Sequence, residues 1–189
     1  MPLHLAWREP RRVRPRLVLL VDVSRSMSAY SFFHLRLARA LCAELADVHA
    51  FVFHTRLTDV GDALRDADPW RSQERLHLIS EGWAGGTRIG ECLRDFNAAH
   101  ARLLHSRTGV IVVSDGYDTG DPAVLAHALA AMRRRARRIV WLNPLLERAD
   151  YAPESAAMQA ALPHLDLFAA GASLAGIERV LPKVVEALR

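Results

Sequence analysis

The chain has 189 residues, of which 51% are hydrophobic and 24% charged, with a formal net charge of +4 at pH 7. That length accommodates one domain with a real core, and the balance is that of an ordinary globular protein. No apolar stretch reaches the roughly 20 residues that span a bilayer, and Met1 to Pro10 lacks the apolar core and cleavage site of a secretory signal, so a cytoplasmic location is expected.

Residues 1–15 are read as a basic N-terminal extension, with Arg8, Arg11, Arg12 and Arg14 crowded ahead of Arg16, and residues 16–189 as the domain. Leu17 to Val21 is a continuous apolar run, which predicts a strand buried on both faces. Ser28 to Val48 carries Phe33, Leu37, Leu41 and Leu45 at four-residue spacing, one stripe of a helix. Val48 to Phe53 predicts a second strand and Arg56 to Val60 a short third one. The signal then weakens: an acidic loop through Asp66, Asp68 and Pro69 leads to a helix over Trp70 to Ile79. The turn Gly82-Trp83-Ala84-Gly85-Gly86 opens a long helix from Thr87 to His105, striped by Ile89, Leu93, Phe96, His100 and Leu103-Leu104.

Val110 to Ser114 predicts a strand, followed by a loop with Asp115, Asp118 and Asp121. Asp121-Pro122 reads as an N-cap with proline at the first helical position. That helix carries Leu125, Leu129 and Met132 and ends in Arg133, Arg134, Arg135, Arg137 and Arg138. Ile139 to Leu142 is a further strand, stopped by Asn143-Pro144. A short helix over Pro153 to Leu162, a last strand at Leu165 to Phe168 and a helical tail from Ser173, broken at Pro182, complete the chain. Strands alternating with helices imply a mostly parallel sheet with helices on both faces, an α/β, doubly wound, Rossmann-like domain.

Cys42 and Cys92 fall in separate helical patterns with no Cys-x-x-Cys pair, which argues for buried free thiols rather than zinc or a disulfide. Nucleic acid is not expected as a partner. No aromatic residues interleave with the arginines, and arginines at a helix end complement its macrodipole.

In open α/β sheets, ligands bind beyond the carboxyl ends of the strands. Asp22 and Asp115 each come directly after a predicted strand, and Ser24 and Ser26 follow Asp22 at alternate positions, so their oxygens converge. Thr87 reaches the same edge from the glycine turn. These five oxygen-bearing groups match what Mg²⁺ requires, with Mn²⁺ or Ca²⁺ as alternatives. Hydroxyls as direct ligands, with Asp22 and Asp115 one water away, would leave the metal electrophilic toward a partner's carboxylate. Arg25, Trp83, Arg88, Tyr117 and Asp118 lie beside these positions in sequence and are candidates for a partner-binding rim. Loop packing or solvation accounts equally well for the two arginines and the two aromatics.

The competing chemistry is an aspartate-based phosphatase, with Asp22 as nucleophile; such enzymes need a second Asp two residues on, where this chain has Ser24. No Gly-x-Ser-x-Gly elbow, Gly-x-Gly-x-x-Gly or Walker A motif is present, so neither a serine hydrolase nor a nucleotide site is expected. A metal-free scaffold stays open as a third reading.

Asp22-Val23-Ser24-Arg25-Ser26-Met27, Gly85-Gly86-Thr87 and Ser114-Asp115-Gly116 resemble the metal-ion-dependent adhesion site of von Willebrand factor A (VWA) domains, with all five ligand positions present. Phe53 to Thr58, Trp83 to Gly90, Ser114 to Asp121 and Arg137 to Leu145 further resemble the CoxE-like family, over nearly the whole chain from about Arg16. The resemblance implies a non-enzymatic module that partners a MoxR-type AAA+ ATPase and a client metalloenzyme, such as a molybdenum-containing, carbon monoxide dehydrogenase-like enzyme. Members of that family often carry a further N-terminal helical region, whereas about 15 residues precede the first strand here.

Overall fold

The computed structural model describes residues 16–66, 68, 71 and 86–179. Six strands form one sheet: β1 (Arg16–Asp22), β2 (Val48–Phe53), β3 (Leu57–Asp59), β4 (Thr108–Val113), β5 (Arg138–Asn143) and β6 (Leu167–Ala170). Their order is β3-β2-β1-β4-β5-β6, and all pairs are parallel except β2 with β3. The described helices are α1 (Ser28–Glu44), α2 (Gly61–Arg65), α3 (Ile89–His100), α4 (Pro122–Arg133) and α5 (Ala156–Ala161), with a further helical stretch over 174–179. This is the doubly wound α/β sheet that the alternating pattern predicts.

Because β1 is covered on both faces, its side chains divide between two cores. Val18 and Leu20 pack with Phe51, Phe96 and Trp141, beneath residues of α3, α4 and α5. Leu17, Leu19 and Val21 pack with Val48, Val52 and Val113, beneath α1 and α2. Each such fully buried aliphatic contributes roughly 1.5–3 kcal/mol relative to exposure, so a continuous apolar run fits this central position. Trp141 is wholly buried, and its indole N–H donates to the Ser114 carbonyl at 2.9 Å. Cys42 and Cys92 are buried free thiols; burial pushes the Cys92 thiol up to about 12, with the Asp95, Glu91, Asp118 and Asp22 charges adding to it.

Several elements differ from expectation. The buried face of α1 is Ser31, His34, Ala38 and Cys42, one position along from the Phe33–Leu37–Leu41–Leu45 stripe, and Leu45 is 48% exposed. Wholly buried Met27 sets the helix phase, and the small Ala38 and Cys42 pack into the core beside β1. α2 carried no clear signal, being only five residues long; the Asp59 carboxylate accepts its first N–H, from Gly61, at 2.8 Å. The helix expected over Thr87 to His105 is α3, prolonged by a 3-10 turn at Ala101–Leu103.

The last strand begins two residues later than expected. Pro163 lies in a 3-10 turn, Leu162–His164, and the Asp166 carboxylate accepts the Ile139 N–H at 2.8 Å just before β6 starts. The helix expected over Trp70 to Ile79, most of the glycine turn and the tail beyond 179 lie outside the described residues.

Candidate metal centre

The chain leaves β1 for β2 on one side and returns to β4 on the other, so the carboxyl ends of β1 and β4 flank a topological switch point. Asp22 is the last residue of β1 and is wholly buried. One of its carboxylate oxygens accepts the Ser24 N–H at 2.9 Å; the other accepts the Ser114 hydroxyl at 2.6 Å. Ser24 then precedes a 3-10 turn, Arg25–Met27, anchored by buried Met27, whose N–H donates to the Ser24 carbonyl at 3.0 Å. The turn brings the Ser24 and Ser26 hydroxyl oxygens to 3.2 Å, Ser24 buried and Ser26 exposed at the mouth.

Asp115 follows β4 and is 2% exposed. One carboxylate oxygen accepts the Tyr117 N–H at 3.1 Å, and its carbonyl accepts the Asn143 amide at 2.9 Å. The turn reverses at Gly116, whose φ of +79° suits glycine. Burial pushes the Asp22 carboxyl up to about 7; its hydrogen bonds from Ser114 and Ser24 offset part of this, and the Asp115 charge adds to it. Burial likewise raises Asp115, against hydrogen bonding from Ser26 and the Tyr117 N–H.

Thr87 is 5% exposed and is tied to the loop that follows Asp115. Its carbonyl accepts both the N–H and the hydroxyl of Thr119, at 2.9 and 2.7 Å. A side chain at position 86 would overlap Thr119, so only glycine permits this approach. The Arg88 N–H is fixed on the His54 carbonyl, after β2, at 2.8 Å.

Of the rim candidates, Arg25 and Arg88 are exposed, Tyr117 is 52% exposed, and Trp83 lies outside the described residues. Asp118, the remaining rim candidate, is half-buried. It turns inward and accepts the Ile89 and Gly90 N–H groups at 3.1 and 2.9 Å, closing the start of α3 from a distant loop, along with the Gly120 N–H at 2.9 Å. Asp118→Ala is expected to cost about 1–2 kcal/mol in urea unfolding, with partial recovery in Asp118→Asn. Asp121 caps α4 through the Ala123 N–H at 2.8 Å, as its Asp-Pro context predicts.

Sequence reasoning did not single out Ser114, Asn143 and Tyr151. Asn143 links the Asp115 carbonyl to the Tyr151 hydroxyl, 2.9 Å from each, and stiffens the loop carrying Asp115. The available signal was a polar residue at the end of an apolar strand, which Ser114 and Asn143 both are.

The donor chemistry fits a hard divalent cation. Two buried carboxylates beside paired hydroxyls carry unfavourable like charge that such a cation would neutralise. Among the described residues no three His, Cys, Asp or Glu side chains gather as a metal-binding group, so two carboxylates with hydroxyls is the set available. No helix of the described residues is long and apolar enough to cross a membrane.

Solved structures with this fold include BatB from Bacteroides thetaiotaomicron, at 15% identity and a TM-score of 0.57, covering 93% of this chain and 98% of that one. A von Willebrand factor type A protein from Catenulispora acidiphila is 16% identical with a TM-score of 0.63, over 92% of this chain and 42% of its own. Proximal thread matrix protein 1 from the mussel byssus, with a zinc-occupied MIDAS motif, is 16% identical with a TM-score of 0.56, over 90% and 44%. The chain therefore spans less than half of the last two. No curated protein matches the chain by sequence. The family model for VWA domain containing CoxE-like protein matches residues 1–177, and the chain belongs to that family.

Proposed function

We propose that this chain is a non-enzymatic, metal-dependent protein-interaction module. Ser24, Ser26 and Thr87 would hold Mg²⁺ directly, with Asp22 and Asp115 acting through water and Mn²⁺ or Ca²⁺ as substitutes. The bound ion supplies a Lewis-acidic position for a partner's carboxylate. The observation that carries this reading is the pair of buried carboxylates, Asp22 and Asp115, beside the hydroxyls of Ser24 and Ser26. The zinc-occupied motif of the mussel protein supports a divalent metal in a domain of this fold.

The chain's own residues hold the arrangement. Ser114 orients Asp22, Asn143 orients the loop of Asp115, and Thr119 fixes the segment of Thr87. Arg25, Arg88 and Tyr117 border the mouth and would meet the partner, with Trp83 as a further rim candidate. The position two residues after Asp22 holds Ser24 and offers no acid or base for phosphoryl transfer, which favours binding over hydrolysis.

Family membership supports a MoxR-type AAA+ ATPase as partner and a molybdenum-containing, carbon monoxide dehydrogenase-like metalloenzyme as client, in the cytoplasm. Residues 16–189 would form the working domain, with 1–15 as a basic extension. Capture of a MoxR-type ATPase on the immobilised chain tests this. Capture is expected in Mg²⁺ and lost in EDTA, in Ser24→Ala and in Asp22→Ala; capture indifferent to all three would reduce the site to a structural role.

A further inference from the structure

The end of the sheet opposite the metal centre has a contrasting chemistry. The parallel strands β1, β4 and β5 all start there, and α3 and α4 end there. Arg102, Arg107, Arg134, Arg135 and Arg137 are exposed at this end and have no ion-pair partner among the described residues. Backbone contacts tie them to one edge: Arg16 N–H donates to the Arg107 carbonyl at 3.1 Å, and Arg137 N–H to the Thr108 carbonyl at 2.8 Å. Arg133 and Arg138 flank Asp166 at 3.3 and 3.5 Å, and Arg16 holds Asp47 at 3.0 Å. Even with Asp47, Asp166 and exposed Glu44 at the end of α1, positive charge is in clear excess. His105, within this edge, is held below its ordinary range by burial and then by the Arg16 charge.

We infer that this arginine edge is a second docking surface, one that takes an acidic face of a protein independently of the metal. Three features favour a protein over nucleic acid or lipid. Asp47 and Asp166 stand inside the patch, where they repel a uniform line of phosphates but suit the mixed charges of a protein surface. Leu45, 48% exposed at the end of α1, adds apolar area at the same edge. The exposed large hydrophobics among the described residues include no aromatic there to stack on a base or seat in a lipid interface.

The charge type points the same way. The chain has one lysine, Lys183, so all the cations of this edge are arginines. Arginine is enriched in protein interfaces where lysine is depleted, and its planar fork matches a carboxylate in two parallel bonds. A chain with a carboxylate-seeking metal at one end and guanidinium groups at the other can hold two acidic partners at once. The inference stands apart from the metal reading, because it needs no ion.

The test uses the full chain in EDTA at about 0.15 M NaCl, with fluorescent poly-L-glutamate as the acidic-protein probe. A short duplex DNA and phosphatidylcholine–phosphatidylserine vesicles are the competing probes. Saturable poly-L-glutamate binding is expected, weakened about tenfold or more in the triple variant Arg134→Glu/Arg135→Glu/Arg137→Glu and unchanged in Arg148→Glu, an exposed arginine beyond the carboxyl end of β5. These arginines are exposed, and an unchanged circular dichroism spectrum and Tm confirm that the triple variant folds. Arg134→Lys/Arg135→Lys/Arg137→Lys is expected to restore only part of the affinity, since a bidentate fork is lost. Tighter retention of DNA or vesicles than of poly-L-glutamate, or binding unaffected by charge reversal, overturns the inference. Equal loss in Arg148→Glu would do the same, by showing that the probe recognises no one edge of the sheet.

Discussion

Asp22→Asn is expected to stabilise the metal-free protein above about pH 7 while removing its response to Mg²⁺. The folded chain holds the Asp22 carboxyl up to about 7, from an ordinary 3.8, so between these values it keeps a proton that the unfolded chain has released. Stability therefore falls as pH rises through this window. The penalty is absent below the unfolded value and complete above the folded one, on the order of 4 kcal/mol. Asparagine cannot ionise, yet its carbonyl can accept the Ser24 N–H and its amide can donate to the Ser114 hydroxyl oxygen, the two partners Asp22 has now.

Thermal unfolding in EDTA between about pH 5 and pH 8 separates the two forms. Wild type should lose several degrees across that range, and the variant less, with Asp115 leaving a residual slope of the same sign because its carboxyl is also raised. Added Mg²⁺ should raise the wild-type Tm most at the alkaline end, since the ion must displace the Asp22 proton at lower pH. It should leave the variant unmoved. A variant less stable than wild type at high pH without metal would show that the carboxylate is not the source of strain.

Gly116→Ala is the second large effect, at about 2–4 kcal/mol of destabilisation. The residue has a φ of +79°, and an added methyl would lie 2.2 Å from the Met158 sulfur of α5. Backbone strain and overpacking therefore act at one position. Relief requires the loop to shift, and the Gly116 N–H is bonded to the Ser114 hydroxyl at 3.0 Å, the group that also holds Asp22. The substitution should weaken Mg²⁺ binding as well as the fold. Paired with Met158→Ala, itself costly because Met158 is wholly buried, the loss in urea unfolding should be less than the sum of the two single losses, because the overpacking is relieved; additive losses would mean that the sulfur contact is irrelevant.

The sheet was legible because β1, β4 and β5 are apolar on both faces and interrupted by polar residues at their carboxyl ends. The same punctuation marks Asp22 and Asp115. Ser24 and Ser26 were legible from alternate spacing after a strand end. What could not be read depends on groups far apart in sequence. The inward turn of Asp118 requires α3 amides 28 and 29 residues away, and Ser114 meets Asp22 across 92 positions. The α1 phase escaped periodicity because the large Phe33, Leu37 and Leu45 outshine the small residues that face the sheet. In a tightly packed interior, Ala38 and Cys42 are the ones admitted there. The arginine clusters were visible in sequence, but their gathering at one sheet edge follows only from parallel strands and the helices that return between them.

Calorimetric titration of Mg²⁺ into the metal-free chain at about pH 8 tests the central claim most directly. One saturable site is expected in wild type, lost in Asp22→Asn and strongly weakened in Ser24→Ala and Thr87→Ala. Absence of saturable binding in wild type, or equal binding in all four proteins, would contradict a metal centre at the ends of β1 and β4.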